Sequence, residues 1–239
     1  MKKSRILISV ILLFLTASII IFFTGIFNIK TIDVVGNATV PKDEIINNSG
    51  LEYGKNIFLF FEKTAIRGIF KDAYIKLVKI DRKLPSKVVI SVIERIAAFK
   101  IPYVGSNVIL DEEGVVLEVL PIGGEIFDLP VVVGLRFSDF KVGESLTVEN
   151  KTALDTLMKV IKEIRPSDLL QGMTKIDITD INNVSLSYRD GNTILLGEPV
   201  DIAYKLSFAK SILEDIKKKN RRGIIDFSNN GEPVFKPVK

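Results

Sequence analysis

The amino-terminal part of the chain is dominated by an unbroken apolar run. Residues 6–27 contain no charged side chain and are rich in Ile, Leu and Phe. As a helix rising ~1.5 Å per residue, this run would be roughly 33 Å long, enough for a hydrocarbon core of ~30 Å. The small residues suited to a cleavage site lie in its middle, at positions 16–18. The pattern predicts a transmembrane helix over residues 6–27, with a cleaved signal peptide as the alternative.

The charges beside this run predict its orientation. Lys2, Lys3 and Arg5 precede it. Since Lys and Arg concentrate on the cytoplasmic side of membrane proteins, residues 1–5 are predicted to be a cytoplasmic tail. Everything after residue 27 is then expected to be extracytoplasmic, attached to the plasma membrane by a single pass.

Residues 28–96 combine the two-residue period of strands with the broader apolar stripes of helices. Pro41 is well placed as the first residue of a helix, and Gly50 as its stop. The pattern predicts strands over 29–35, 75–82 and 87–94, helices over 41–48 and about 60–70, and a turn at 84–86. This β-α-α-β-β order predicts a small domain with its own core, in which Ile90 is buried.

From residue 97 to residue 239 the pattern changes to short strands and tight turns. The pattern predicts strands over 108–111, 115–118, 184–188, 193–196, 224–227 and 234–235, helices over 154–164 and 202–216, and Gly-marked turns at 112–114, 190–191 and 229–231. We therefore expect a second, larger domain over 97–239, built on an antiparallel sheet with flanking helices. The fold class of the whole exported part is α+β.

Composition removes several classes of function. The chain has 239 residues, 47% of them hydrophobic, and contains neither His nor Cys. It therefore lacks the residues for Cys₂His₂ zinc sites, Ser-His-Asp triads, cysteine nucleophiles and disulfides. Although the formal net charge is +4, residues 28–239 hold 30 basic against 29 acidic side chains, which does not predict nucleic-acid binding. We expect no cofactor, no metal, no catalytic residue and no small-molecule substrate.

Two charged clusters each allow two interpretations. Asp111, Glu112 and Glu113 resemble paired carboxylates for hydrolysis or calcium binding, but acids beside Gly114 are more typical of a solvated hairpin turn. The basic run at 217–222 is typical of a helix carboxyl end that complements its dipole. Binding of phospholipid or of an acidic partner is the alternative for that run.

The end of the chain is the candidate binding site. A strand containing Ile225 and Phe227, followed by Pro233, Val234 and Phe235, predicts a terminal hairpin with an unpaired outer edge, because proline cannot donate to a sheet ladder. These five residues are the candidates for partner binding. The alternative is that the apolar ones are ordinary core residues of a half-buried strand.

The order of these features resembles the bacterial cell-division family FtsQ, called DivIB in many Gram-positive bacteria. The resemblance rests on Ile32-Asp33-Val34-Val35-Gly36-Asn37, Arg82-Lys83-Leu84-Pro85, Val88-Val89-Ile90-Ser91-Val92, Glu94-Arg95, Leu110-Asp111-Glu112-Glu113-Gly114-Val115, Leu129-Pro130, Val133-Gly134, Leu196-Gly197, Lys205-Leu206 and Ile225-Asp226-Phe227. It implies that residues 28–96 form a POTRA domain and residues 97–239 the so-called β domain.

The resemblance also implies a function. Members of the family are non-enzymatic scaffolds at the division septum that bind FtsL and FtsB (DivIC) and help to recruit or regulate the septal peptidoglycan synthase complex. FtsB is thought to add a strand to the end of the β domain and to pack against its last helix. Two other functions compete with this expectation: an exported POTRA-containing adaptor for secretion or envelope assembly, and a cell-wall hydrolase.

Overall fold

The structure, a computed structural model, describes residues 2–124, 128–228 and 233–238. The chain folds as two compact units, Met1–Arg95 and Ile96–Lys239. Each unit has a hydrophobic core of its own. The turn predicted at 229–231 lies outside the described residues.

Helix α1 covers Lys2–Phe23 and precedes the core of the first unit. It ends four residues before the predicted limit at residue 27, because Gly25 adopts a left-handed φ of +78° and its carbonyl accepts a hydrogen bond from the Asn28 N–H at 3.1 Å. Among the helices formed by the described residues, none is both long and apolar enough to span a membrane.

The first unit has the predicted β-α-α-β-β order. Its elements are β1 (Thr31–Val35), α2 (Lys42–Ser49), α3 (Glu62–Ile69), β2 (Ile75–Lys83) and β3 (Lys87–Glu94). β3 lies in the middle of the sheet, parallel to β1 and antiparallel to β2. Alternate side chains of β3 enter a core shared with both helices, and Ile90 is completely buried there, as predicted.

Two charged side chains fasten loops of this unit to its sheet. The Glu94 carboxylate, at the end of β3, accepts hydrogen bonds from the N–H groups of residues 38–40 at distances of 2.7–3.0 Å. The Arg82 guanidinium, on β2, donates to the carbonyls of Ile57 and Phe60 at 3.0 and 3.1 Å. Both side chains thus satisfy loop backbone groups that no strand or helix pairs.

The described residues of the second unit form one nine-stranded sheet and two α-helices. Its elements are β4 (Ala97–Tyr103), β5 (Ser106–Asp111), β6 (Val116–Pro121), β7 (Val131–Val133), α4 (Lys151–Ile164), β8 (Met173–Asp177), β9 (Val184–Tyr188), β10 (Thr193–Gly197), α5 (Ile202–Lys218), β11 (Gly223–Asp226) and β12 (Val234–Pro237), with a 3₁₀ turn at Asp168–Leu170. The strand order is β12-β11-β10-β9-β8-β7-β4-β5-β6. All the strands and helices predicted for this unit are present.

The prediction of an antiparallel sheet is wrong, because the sheet is mixed. β7 pairs in parallel with β4 and β8, and β10 pairs in parallel with β11. Helical connections make two of these parallel pairs possible: α4 joins β7 to β8 and α5 joins β10 to β11, and each crossover returns the chain in its original direction. Both crossovers advance the same way along the sheet, so right-handed connections place both helices on one face.

Candidate partner-binding edge

Strand β12 forms one edge of the nine-stranded sheet. It pairs antiparallel with β11, so that Phe235 lies opposite Ile225 and Pro237 lies opposite Gly223. Its other side carries no paired strand among the described residues. The predicted terminal hairpin strands therefore exist, and they end the sheet.

The backbone of β12 presents an unusual set of groups at this edge. The Val238 N–H donates to the Arg222 carbonyl at 3.0 Å. Because orientation alternates along an antiparallel strand, odd-numbered residues of β12 direct their N–H and C=O groups away from β11. Pro237 is one of these residues and has no N–H, and Pro233, just before the strand, also lacks one. Within the described part of β12, Phe235 therefore supplies the single outward N–H donor.

The Phe235 ring is held in place by a glycine and an arginine. A Cβ atom at Gly223 would lie only 2.7 Å from ring atom Cε2 and 2.4 Å from the Lys236 carbonyl oxygen, so the ring occupies space that only glycine leaves free. The Arg221 guanidinium lies over the ring, 5.8 Å from its centroid. The ring is half-buried and packs against the core of the second unit.

On the other side of the hairpin, a buried carboxylate ties β12 to β11. Asp226 is only 7% exposed and accepts hydrogen bonds from the Lys236 Nζ at 2.6 Å, the Ser228 N–H at 2.9 Å and the Ser228 hydroxyl. These bonds, that from Lys236 foremost, lower the pKa of Asp226 to about 2. Hence the carboxylate stays charged at neutral pH and fixes the strand pair.

An exposed aromatic pair lies on α5, the helix that leads into β11. On the flank that faces α4, the Lys210 ammonium contacts the Asp168 carboxylate at 2.7 Å. Tyr204 and Phe208 project from the other side of the helix, 58% and 43% exposed, with ring centroids 4.7 Å apart. α5 connects β10 to β11, the strand that pairs with β12. The edge of β12 and this aromatic pair are called the edge site below.

The structure places the five predicted candidates in two different environments. Ile225 is fully buried and Phe227 is 3% exposed, so both belong to the core, where a partner cannot reach them without opening the sheet. Val234 is 47% exposed, whereas Pro233 and Phe235 are half-buried at the edge. Partner binding by these residues stays a prediction.

The apolar stripe that predicted α5 is its buried face, and the aromatic pair on its exposed face was not among the predicted site residues. Tyr204 and Phe208 are four residues apart, a spacing that places two side chains on the same face of a helix. They lie outside the apolar stripe that predicted the helix. Two aromatic residues on the polar side of an amphipathic helix could have indicated a binding surface from the sequence alone.

The basic run at 217–222 borders the edge site. Its first members lie in the last turn of α5, where cations complement the helix dipole. Lys219 pairs with Asp215 at 2.7 Å, and Arg221 covers Phe235. The run therefore serves the helix end and places positive charge next to β12.

The acidic cluster at 111–113 is used within its own hairpin. The Asp111 carboxylate accepts hydrogen bonds from the N–H groups of Glu113 and Val115 at 2.9 and 2.8 Å. Glu112 forms an ion pair with Arg165. These contacts account for the acids as part of a turn, and among the described residues no group of acids could hold a metal ion.

Two family models match the chain. One describes a POTRA domain of the FtsQ type and matches residues 27–95. The other describes the C-terminal part of the cell-division proteins FtsQ and DivIB and matches residues 102–228. The two matched segments fall in the two units in turn.

Relatives with similar sequences carry the same names. A cell-division protein DivIB of Clostridium botulinum is 32% identical over 242 residues, covering 98% of this chain and 92% of the relative. A DivIB of Clostridium acetobutylicum is 32% identical, covering 87% of this chain and 82% of the relative. A cell-division protein FtsQ of Syntrophotalea carbinolica is 29% identical, covering 87% and 72%.

Proposed function

The chain belongs to the FtsQ/DivIB family of cell-division proteins, and from this premise we propose that it is a non-enzymatic scaffold of the division septum. In this proposal it binds partners of the FtsL and FtsB/DivIC type and so helps to recruit or regulate the septal peptidoglycan synthase complex. Its mechanism is binding alone.

We propose that the partner binds by adding a strand to β12. Strand addition needs free backbone groups on an edge strand, together with surfaces that receive alternate side chains. The edge site supports both requirements. Phe235 offers one outward N–H and one outward C=O, and Pro237 offers a further carbonyl. The exposed rings of Tyr204 and Phe208 are the proposed apolar surface for side chains of the added strand.

We further propose that the chain is held in the plasma membrane by residues 6–27, with residues 1–5 in the cytoplasm. The support is the sequence, which has no charge over residues 6–27 and three basic residues before them. Residues 28–96 would then act as the POTRA domain near the membrane, and residues 97–239 as the domain that captures the partner.

The edge site is tested by comparing F235A with F235P. Both variants lose the ring, but only F235P also loses the outward N–H, and neither removes a hydrogen bond to β11. We expect F235P to bind an FtsB/DivIC–FtsL pair at least about tenfold more weakly than F235A, about 1.4 kcal/mol. Affinity is measured by titration with the purified full chain in detergent, and F208S is expected to weaken binding as well.

The control for this experiment is the thermal stability of the same preparations. F235A and F235P are expected to unfold at similar temperatures, because the lost donor faces away from the sheet. Equal affinity of the two folded variants would contradict strand addition at β12. An unaffected F208S would show that the α5 flank takes no part.

A further inference from the structure

The carboxyl end of α1 is fastened to the loop that precedes α3. The Asn56 side-chain amide donates to the Phe22 carbonyl at 3.1 Å, and the Ile57 N–H donates to the Phe27 carbonyl at 2.8 Å. The Phe58 ring lies 5.9 Å from the Phe22 ring and 5.2 Å from the Phe27 ring. The loop therefore has a fixed position at the point where the chain leaves α1.

Three large apolar side chains of this loop point outward. Phe58 is 44% exposed, Leu59 is 65% exposed and Phe61 is 80% exposed. Their neighbours hold the loop rigid: Ile57 is fully buried, and the Arg82 guanidinium covers the Phe60 ring at 4.1 Å. The loop therefore buries some of its apolar side chains and holds the others exposed on a fixed backbone. The outward set, Phe58, Leu59 and Phe61, is called the apolar tip below.

Phe61 is an unfavourable residue for the start of α3. Phe61 is the N-cap of α3 and forms no side-chain capping hydrogen bond. Ser, Thr, Asp or Asn at this position would satisfy a free N–H and stabilise the helix by ~1 kcal/mol. An 80% exposed phenylalanine stands there instead. A residue that costs local stability and exposes an aromatic ring to water indicates a contact outside the unit.

We infer that the apolar tip dips into the outer surface of the lipid bilayer. This inference rests on the proposed membrane attachment through residues 6–27. The tip touches the end of α1, so it lies at the level where an anchored chain would leave the hydrocarbon layer. Aromatic and aliphatic side chains are favoured at this depth, where they bury apolar surface beside the headgroups. The lipid surface would then hold the first unit at a fixed orientation.

The absence of tryptophan from the chain gives a direct test. F61W introduces a single tryptophan at the tip, and F70W introduces one at the far end of α3, roughly 13 Å away along the helix. Phe70 is also exposed, at 46%, so F70W is a control at the opposite end of the same helix. The full chain is reconstituted in phosphatidylcholine–phosphatidylglycerol vesicles that contain doxyl-labelled lipid.

We expect a blue-shifted F61W emission that is quenched about twofold or more strongly than that of F70W, most of all by a doxyl group near the headgroup. F61W that is quenched no more than F70W would overturn the inference. Carbonate extraction of the same vesicles tests the anchor separately. If the protein is retained but F61W is not quenched, the proposed anchor is supported and the lipid contact of the apolar tip is contradicted. If the protein is extracted, both proposals are contradicted.

Discussion

At the scale of single residues, several side chains that carry the family resemblance stabilise the fold through hydrogen bonds to the backbone. Glu94 binds three backbone N–H groups of the loop at residues 38–40, and Asp111 closes its own turn. The buried Lys205 ammonium donates to the carbonyls of Leu196 and Glu198 at 2.7 and 2.8 Å, which joins α5 to the end of β10. Burial lowers the pKa of Lys205. These residues therefore shape loops and helix positions.

Asp226 makes the stability of the terminal hairpin depend on pH. Its folded pKa of about 2 lies below the ~3.9 of an unfolded aspartate. The stabilisation is therefore complete above pH ~4 and is lost as the pH falls toward 2. We expect D226N to lower the free energy of unfolding by about 2 kcal/mol at pH 7 and by progressively less below pH 4. Urea unfolding followed by circular dichroism at several pH values measures this.

D33N is the matched control for D226N. Asp33 also pairs with a lysine, Lys87, at 2.6 Å, and the hydrogen bond from that lysine lowers its pKa, but both side chains are well exposed. Water screens such a pair, so its removal should change stability little. If D226N destabilised the protein no more than D33N at pH 7, the hairpin would not depend on the buried carboxylate.

At the scale of elements, β3 shows how a strand with two unlike faces fixes the first unit. Ile90 faces the helices and is fully buried, whereas Ile93 faces the other side and is 54% exposed. We expect I90D to unfold the first unit, because an unpaired charge would enter a sealed core at a cost of several kcal/mol. I93D carries the same change on the same strand and should alter the thermal midpoint little. Equal midpoints for the two variants would contradict the face assignment.

The elements that periodicity revealed are those with one buried face. β3, β9, α4 and α5 alternate between core and solvent, and so their patterns were sufficient for prediction. β7 has only three residues, and β8 lacks a clear alternation, so neither was predicted.

The local sequence pattern could predict neither the parallel strand pairing nor the aromatic pair on α5. The order of the strands depends on the crossovers of α4 and α5. These crossovers are long-range features, and the local hydrophobic period does not specify them. The hairpin containing Phe235 was predicted from two short apolar runs around a Gly-marked turn, and its unpaired edge was predicted from its prolines. The burial of Phe227 depends on the packing of the second unit's core, which no local pattern specifies.

At the scale of the whole molecule, family membership predicts where the protein acts. We expect a fluorescent fusion of the full chain to collect at the division plane, and depletion of the protein to give filamentous cells with unsplit septa. F235P is expected to reach the membrane but to collect less at the division plane, because partner capture is impaired. A fusion spread evenly around the envelope during septation would contradict the proposed scaffold role.

The prolines around β12 affect whether neighbouring copies of the chain can aggregate through this edge strand. A complete edge strand would accept any extended segment, including the edge of another copy, and open-ended sheets grow in that way. With a single outward N–H at Phe235, the strand cannot supply the regular row of donors that repeated stacking needs. In the proposed scaffold role, copies gathered at the septum would therefore be protected against edge-to-edge aggregation, while the proposed partner could still bind through its additional contacts.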